Sequence, residues 1–137
     1  MIFVDTNIVI DVLEPDPRWR SWSVAQLIQA AEHSQPVASA VVVAECAGCF
    51  ATLADLHAAF ATFDLVIEDV PLEAMFAAGH AFRDYRRDGP AREKILADFL
   101  IGAHAQHRGA RLITRDSRLY RRYFPALTLI TPEIDHG

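Results

Sequence analysis

The sequence predicts an α/β protein in which a parallel sheet is covered by helices on both faces. Two observations carry that reading. Short apolar runs of strand length alternate with longer segments whose apolar residues recur at helical spacing, the pattern of strands joined by helical crossovers. The hydrophobic content of 52% is swollen by alanine, which favours helix. A length of 137 residues adds that one compact domain, spanning 1–137, can bury a core without disulfides or a structural metal.

The elements follow in order. Ile2, Phe3 and Val4 form a buried strand that ends in the turn Asp5-Thr6-Asn7, and residues 8–13 continue as a helix that stops before Glu14-Pro15. Asp16-Pro17 supplies an N-cap with proline at the first helical position, and that helix runs through Trp19, Trp22, Leu27 and Ala31 to about His33. Residues 36–38 are the second strand, and Ser39 caps the helix that carries Glu45. Residues 52–63 read as a helix with Leu53, Leu56, Phe60 and Phe63 on one face, and residues 64–67 as the third strand. A long helix over 72–88 ends at Gly89-Pro90, and the next one leads to Gly109 as its C-cap. Residues 111–114 and 127–130 are the fourth and fifth strands, with a short helix over 117–123 between them. There is no internal repeat, low-complexity tract or interdomain linker.

Met1 leads straight into the first strand, and the longest apolar run, 37–44, is too short to span a bilayer. The expectation is a soluble cytoplasmic protein without a membrane role. Cys46 and Cys49 form a C-x-x-C, but no second pair exists and His33 and His57 lack finger-like spacing, so packed thiols are expected. His104 and His107 lack an adjacent third ligand and are expected on the surface.

The net charge of −5 hides a division along the chain. Residues 83–122 hold 11 of the 13 basic residues and 5 acids, a net +6, and the remainder carries −11. One side facing a polyanion accounts for such a split, as in part would a solvated helix face.

The chemistry lies with the acids. Ligands of parallel α/β sheets bind beyond the carboxyl ends of the strands. Asp5 ends the first strand and Asp116 follows the fourth. Glu45 interrupts an apolar helix between Ala44 and Cys46, and Asp98 does so between Ala97 and Phe99, where an unpaired buried carboxylate would be costly. Each acid also has a structural reading. Asp5 and Asp116 suit helix caps, Asp98 suits a helix dipole, and Glu45 suits an arginine partner. Four such coincidences at these positions are less economical than one site. Converging carboxylates repel, a conflict that Mg²⁺ or Mn²⁺ relieves while leaving coordination positions for water and phosphate. With no Ser-His or Cys-His pair visible, the acids point to metal-assisted phosphodiester hydrolysis.

The opening run from Met1 to Asp11 resembles the start of a PIN domain. The stretch around Asp98, from Ala97 to Ala105, resembles the family's central acid and its helix. Leu112-Ile113-Thr114-Arg115-Asp116 resembles its last motif, and Ser39 through Glu45 its second acidic helix. The small size and the arginine after Thr114 are similar to VapC-type toxins of toxin–antitoxin pairs. The resemblance implies a three-layer α/β/α sandwich with strand order 3-2-1-4-5. It also implies a Mg²⁺- or Mn²⁺-dependent endoribonuclease, a homodimer and a VapB-type antitoxin.

By position, Asp5, Glu45, Asp98 and Asp116 would be catalytic and metal-binding, supported by Thr6, Asn7 and Thr114. Arg83, Arg86, Arg87, Arg92, Lys94, Arg115 and Arg118 are candidates for RNA phosphates. Phe50, Leu53, Leu56 and Phe60 are apolar candidates for the dimer surface or antitoxin groove, with core packing as the other reading. Two further functions stand beside the toxin: a PIN nuclease in RNA processing, and a domain that binds RNA or a partner without cutting.

Overall fold

A computed structural model describes residues 1–88 and 95–132. Five parallel strands are ordered β3-β2-β1-β4-β5: β1 Ile2–Val4, β2 Pro36–Ser39, β3 Val66–Glu68, β4 Arg111–Ile113 and β5 Leu129–Ile130. The strand order expected from the resemblance is the one observed. β1 lies at the centre, with Phe3 opposite both Val37 and Leu112. All three β1 side chains are buried, as are those of β2, because helices cover both faces.

Among the described residues the helices are α1 Thr6–Leu13, α2 Arg20–His33, α3 Ala40–Cys46, α4 Leu53–Thr62, α5 Leu72–Asp88, α6 Leu96–His107 and α7 Ser117–Tyr123. Sheet order grows from β1 through β2 to β3, then resumes on the other side of β1 with β4 and β5. With right-handed crossovers, this reversal places α1 to α4 on one face and α5 to α7 on the other. It also opens a crevice between the carboxyl ends of β1 and β4, where Asp5 and Thr114 lie. No single helix among the described residues is long and apolar enough to cross a membrane.

Several local expectations are refined. Asp16 does cap, its Oδ1 accepting from the backbone N–H groups of Arg18 and Trp19, but it caps a turn and the helix proper begins only at Arg20. Ser39 caps α3 as expected, and Thr52, expected inside the next helix, is instead the N-cap of α4. Gly109 takes a positive φ of 64° beyond α6, the conformation in which a side chain would be strained. Leu56 and Phe60 are core residues, whereas Leu53 is exposed.

His104 corrects the surface expectation, since its exposure is 0%. Its Nδ1 lies 3.0 Å from Ser39 Oγ and its Nε2 lies 3.0 Å from Glu68 Oε1, with Phe3 edge-on to the ring. A neutral ring satisfies both partners when Nε2–H donates to Glu68 and the Ser39 hydroxyl donates to Nδ1. Burial, the larger influence, pulls its pKa down although Glu68 opposes. Arg108 closes the network on Glu68 at 2.8 Å. Here a histidine joins α6 to the ends of β2 and β3.

The expectation of packed thiols holds for Cys46 and fails for Cys49. Cys46 is buried and Cys49 exposed, both are free, and burial pushes the Cys46 thiol up to about 12.

Candidate active site

Asp5 leaves β1 and at once becomes the N-cap of α1, its Oδ1 accepting from the Thr6 N–H at 2.7 Å. The other oxygen, Oδ2, accepts from the Thr114 hydroxyl at 2.7 Å and the Tyr120 hydroxyl at 2.9 Å. Asn7 Nδ2 adds a long contact at 3.5 Å to Oδ2 and one at 3.4 Å to Thr114 Oγ1. With 3% exposure, the carboxyl is raised to about 6 by burial, against which the bonds from Thr114, Tyr120 and Thr6 pull downward and Asp98 pushes upward. The cap reading of Asp5 therefore holds, and the same carboxylate heads the candidate site.

Thr6 connects the first acid to the second. Its N–H binds Asp5, and its hydroxyl donates to Glu45 Oε1 at 2.6 Å. Glu45 is exposed at the end of α3 and takes this hydroxyl. Asp98 stands in the first turn of α6, where its Oδ2 accepts from the Ile95 N–H at 3.3 Å. Asp116 precedes α7, and its own N–H donates to Thr114 Oγ1 at 3.0 Å. Its side chain makes no cap bond to α7. Tyr120 is held well above its ordinary pKa by burial first and then by the charges of Asp5, Asp98 and Asp116. Three carboxylates from three parts of the chain thus act on one phenol, which stays protonated as a donor.

Tyr120 and Asp11 were not legible as site residues. Tyr120 follows Asp116 by one helical turn, and Asp11 follows Asn7 by one, so an i+4 offset from a recognised residue was the available signal. Asp11, 2% exposed, is paired in bidentate fashion with Arg115, at 2.8 Å for both Nε–Oδ2 and Nη2–Oδ1. Ser23 Oγ donates to the same carboxylate at 2.7 Å, and the Arg115 N–H donates to Asn7 Oδ1 at 3.3 Å. The loop carrying Thr114 and Asp116 is therefore clamped onto α1. Arg115, expected at RNA phosphates, has its guanidinium engaged inside the fold.

Of the other basic candidates, Arg83, Arg86 and Arg87 are exposed on the last turns of α5, and Arg118 is exposed on α7. Tyr85 packs against Phe99 at 5.3 Å between ring centroids, which brings that end of α5 beside the residue after Asp98. Arg92 and Lys94 lie outside the described residues.

Gly102 makes room for this arrangement. A Cβ there would lie 2.8 Å from Phe124 Cε2 and 3.0 Å from Tyr120 Cδ1. Gly102→Ala should cost about 1–3 kcal/mol by overpacking and displace the Tyr120 hydroxyl from Asp5. A lowered melting temperature is the expected result, and an unchanged one would refute it.

Among the described residues, no group of three His, Cys, Asp or Glu side chains is close enough to enclose a metal ion as it stands. The donor set nevertheless suits a hard divalent cation. All four acids offer carboxylate oxygens, and Asp5 carries a raised pKa to which Asp98 contributes, the strain that added positive charge relieves.

The PIN domain model matches residues 2–125. No curated protein matches the chain. Among solved structures, a chain of VapBC2 from Rickettsia felis bound to a promoter DNA fragment is similar at TM-score 0.70 and 23% identity, over 96% of this chain and 98% of that one. FitAcB from Neisseria gonorrhoeae is similar at TM-score 0.65 and 26% identity, over 97% and 99%. DNA-bound VapBC from Salmonella typhimurium is similar at TM-score 0.65 and 20% identity, over 95% and 96%.

Proposed function

This chain belongs to the PIN domain family, and from that premise we propose that it is a metal-dependent endoribonuclease acting as the toxin of a VapBC-type toxin–antitoxin pair. The observation that carries the nuclease reading is the cradle of Asp5 at the β1/β4 crevice, joined to Glu45 through Thr6, with Asp98 acting on Asp5 and both Asp98 and Asp116 acting on its donor Tyr120. The toxin reading is supported by the neighbours, which come from VapBC and FitAB complexes.

Asp5, Glu45, Asp98 and Asp116 are the residues that would hold Mg²⁺ or Mn²⁺. When bound, such an ion supplies a polarised water and positive charge for the developing phosphorane. The chain's own work is positional. Thr114 and Tyr120 occupy Oδ2 of Asp5 and fix its rotation, while Thr6 sets the spacing of Asp5 from Glu45. Arg83, Arg86, Arg87 and Arg118 supply positive charge for RNA phosphates around an acidic centre, which reconciles a net charge of −5 with a polyanionic substrate.

The antitoxin and a second copy of the chain are proposed to share the exposed apolar surface. Leu72, Met75 and Phe76 are 78%, 47% and 70% exposed on one side of α5, a cluster of apolar side chains that a partner could cover.

The test has two arms. Purified protein should cut RNA with Mg²⁺ or Mn²⁺ and lose all activity in EDTA. Expression without the antitoxin should arrest growth, and Asp98→Asn should abolish the arrest. Cleavage that persists in chelator would overturn the metal assignment, and sustained growth with soluble wild-type protein would overturn the toxin assignment.

A further inference from the structure

The two tryptophans of the chain have different surroundings. Trp22 packs against the hydrophobic core, whereas Trp19, half-buried like Trp22, is held in other contacts. Its ring instead meets two cations: the Arg18 guanidinium at 4.9 Å and the Arg115 guanidinium at 5.2 Å from the centroid. A half-buried aromatic ring that meets two guanidiniums calls for an account other than packing.

The presentation of Trp19 is built. Pro15 and Pro17 limit the backbone on either side of Asp16, whose Oδ1 accepts from the Arg18 and Trp19 N–H groups at 2.8 and 2.9 Å. Those two bonds are the main reason the Asp16 carboxyl is held below its usual range. On the other side, Arg115 is locked to Asp11 while its backbone lies between Thr114 and Asp116. Trp19 is thus one arginine side chain away from the loop that donates to Asp5.

We propose that Trp19, with Arg18 and Arg115, forms a stacking seat for one nucleobase of single-stranded RNA, next to the phosphate held over Asp5. This rests on the ribonuclease reading above. The base takes the place of the Arg18 guanidinium on the ring, and Arg18, on its exposed flexible stem, turns to the adjoining phosphate. Arg115 stays on Asp11 and keeps the ring fixed. Stacking of this kind tolerates any base, so the seat sets the register of the strand over the acids without dictating the sequence cut.

The test measures binding of a short single-stranded RNA to protein in an Asp98→Asn background, which prevents cleavage. Trp19→Leu should weaken binding about tenfold, as for loss of one stacked base, and Trp19→Phe should keep most of it. The same strand carrying abasic sites in place of its bases should bind weakly and equally to all three proteins. With Trp22→Phe, Trp19 is the one tryptophan left, and the base-bearing strand should quench its emission while the abasic strand should not. If melting shows that Trp19→Leu is misfolded, the phenylalanine variant and the quenching decide.

Equal binding by wild type and Trp19→Leu, or no quenching by the base-bearing strand, would overturn the seat. A wild-type protein that cuts RNA, beside a Trp19→Leu protein that cuts and binds just as well, sinks this inference alone. Wild-type protein that cuts no RNA at all sinks the ribonuclease reading first.

Discussion

Replacing Asp5 with Asn is expected to abolish RNA cleavage and, at the same time, to stabilise the protein at neutral pH. The loss of activity follows from removing the carboxylate at the centre of the acids. The gain follows from linkage. Asp5 is raised from 3.8 to about 6 in the folded protein. Between those values the folded state binds more protons than the unfolded one, so its contribution to stability falls as pH rises through the window and stays low above it. Two units correspond to roughly 3 kcal/mol. The amide recovers less than that, because its Nδ2 group would face the Thr6 N–H, and a gain of about 1–3 kcal/mol is expected. Melting temperatures at pH 7.5 should therefore favour Asp5→Asn, and by pH 4 most of the difference should vanish. Mn²⁺ should raise the melting temperature of the wild type and leave the variant unmoved. A variant less stable than wild type at pH 7.5 would show that the buried charge is not the burden described.

Arg115→Ala should behave as a structural lesion more than as the loss of a phosphate contact. It takes the bidentate guanidinium away from Asp11, which is 2% exposed. Removing one partner of such a buried pair costs about 3–5 kcal/mol. Arg118→Ala, at an exposed position, should change stability by less than about 0.5 kcal/mol. Urea unfolding separates the cases. Equal midpoints for Arg115→Ala and Arg118→Ala, with RNA binding weakened in both, would return Arg115 to the role of a surface cation.

The contrast between these residues shows where sequence reading reaches and where it stops. The strands were legible because each is a short apolar run with a turn beside it, and their order came with the family resemblance. Glu45 and Asp98 stood out because an acid inside an apolar helix needs a reason, and Asp5 and Asp116 because they follow strands. The Asp11–Arg115 pair was not legible: it spans 104 positions and depends on how α1 meets the β4–α7 loop. Tyr120 lies between Leu119 and Arg121, in a segment that reads as an ordinary amphipathic helix. His104 was misplaced because a histidine surrounded by Ala103 and Ala105 gives no hint that Ser39 and Glu68 will meet it from two other strands. In each case the missing information was a long-range partner, which local patterns do not carry.

The donors that surround Asp5 also decide when, during synthesis, the proposed site can be assembled. Thr6 is the next residue, but Thr114 and Tyr120 are 109 and 115 positions away. At 5–20 residues per second, a ribosome adds Tyr120 about 6–23 seconds after Asp5. Until then the first acid has neither β4 beside its strand nor a hydroxyl on its outer oxygen. On the ribonuclease reading proposed above, the nascent chain lacks the donors that hold Asp5 until β4 and α7 have been made.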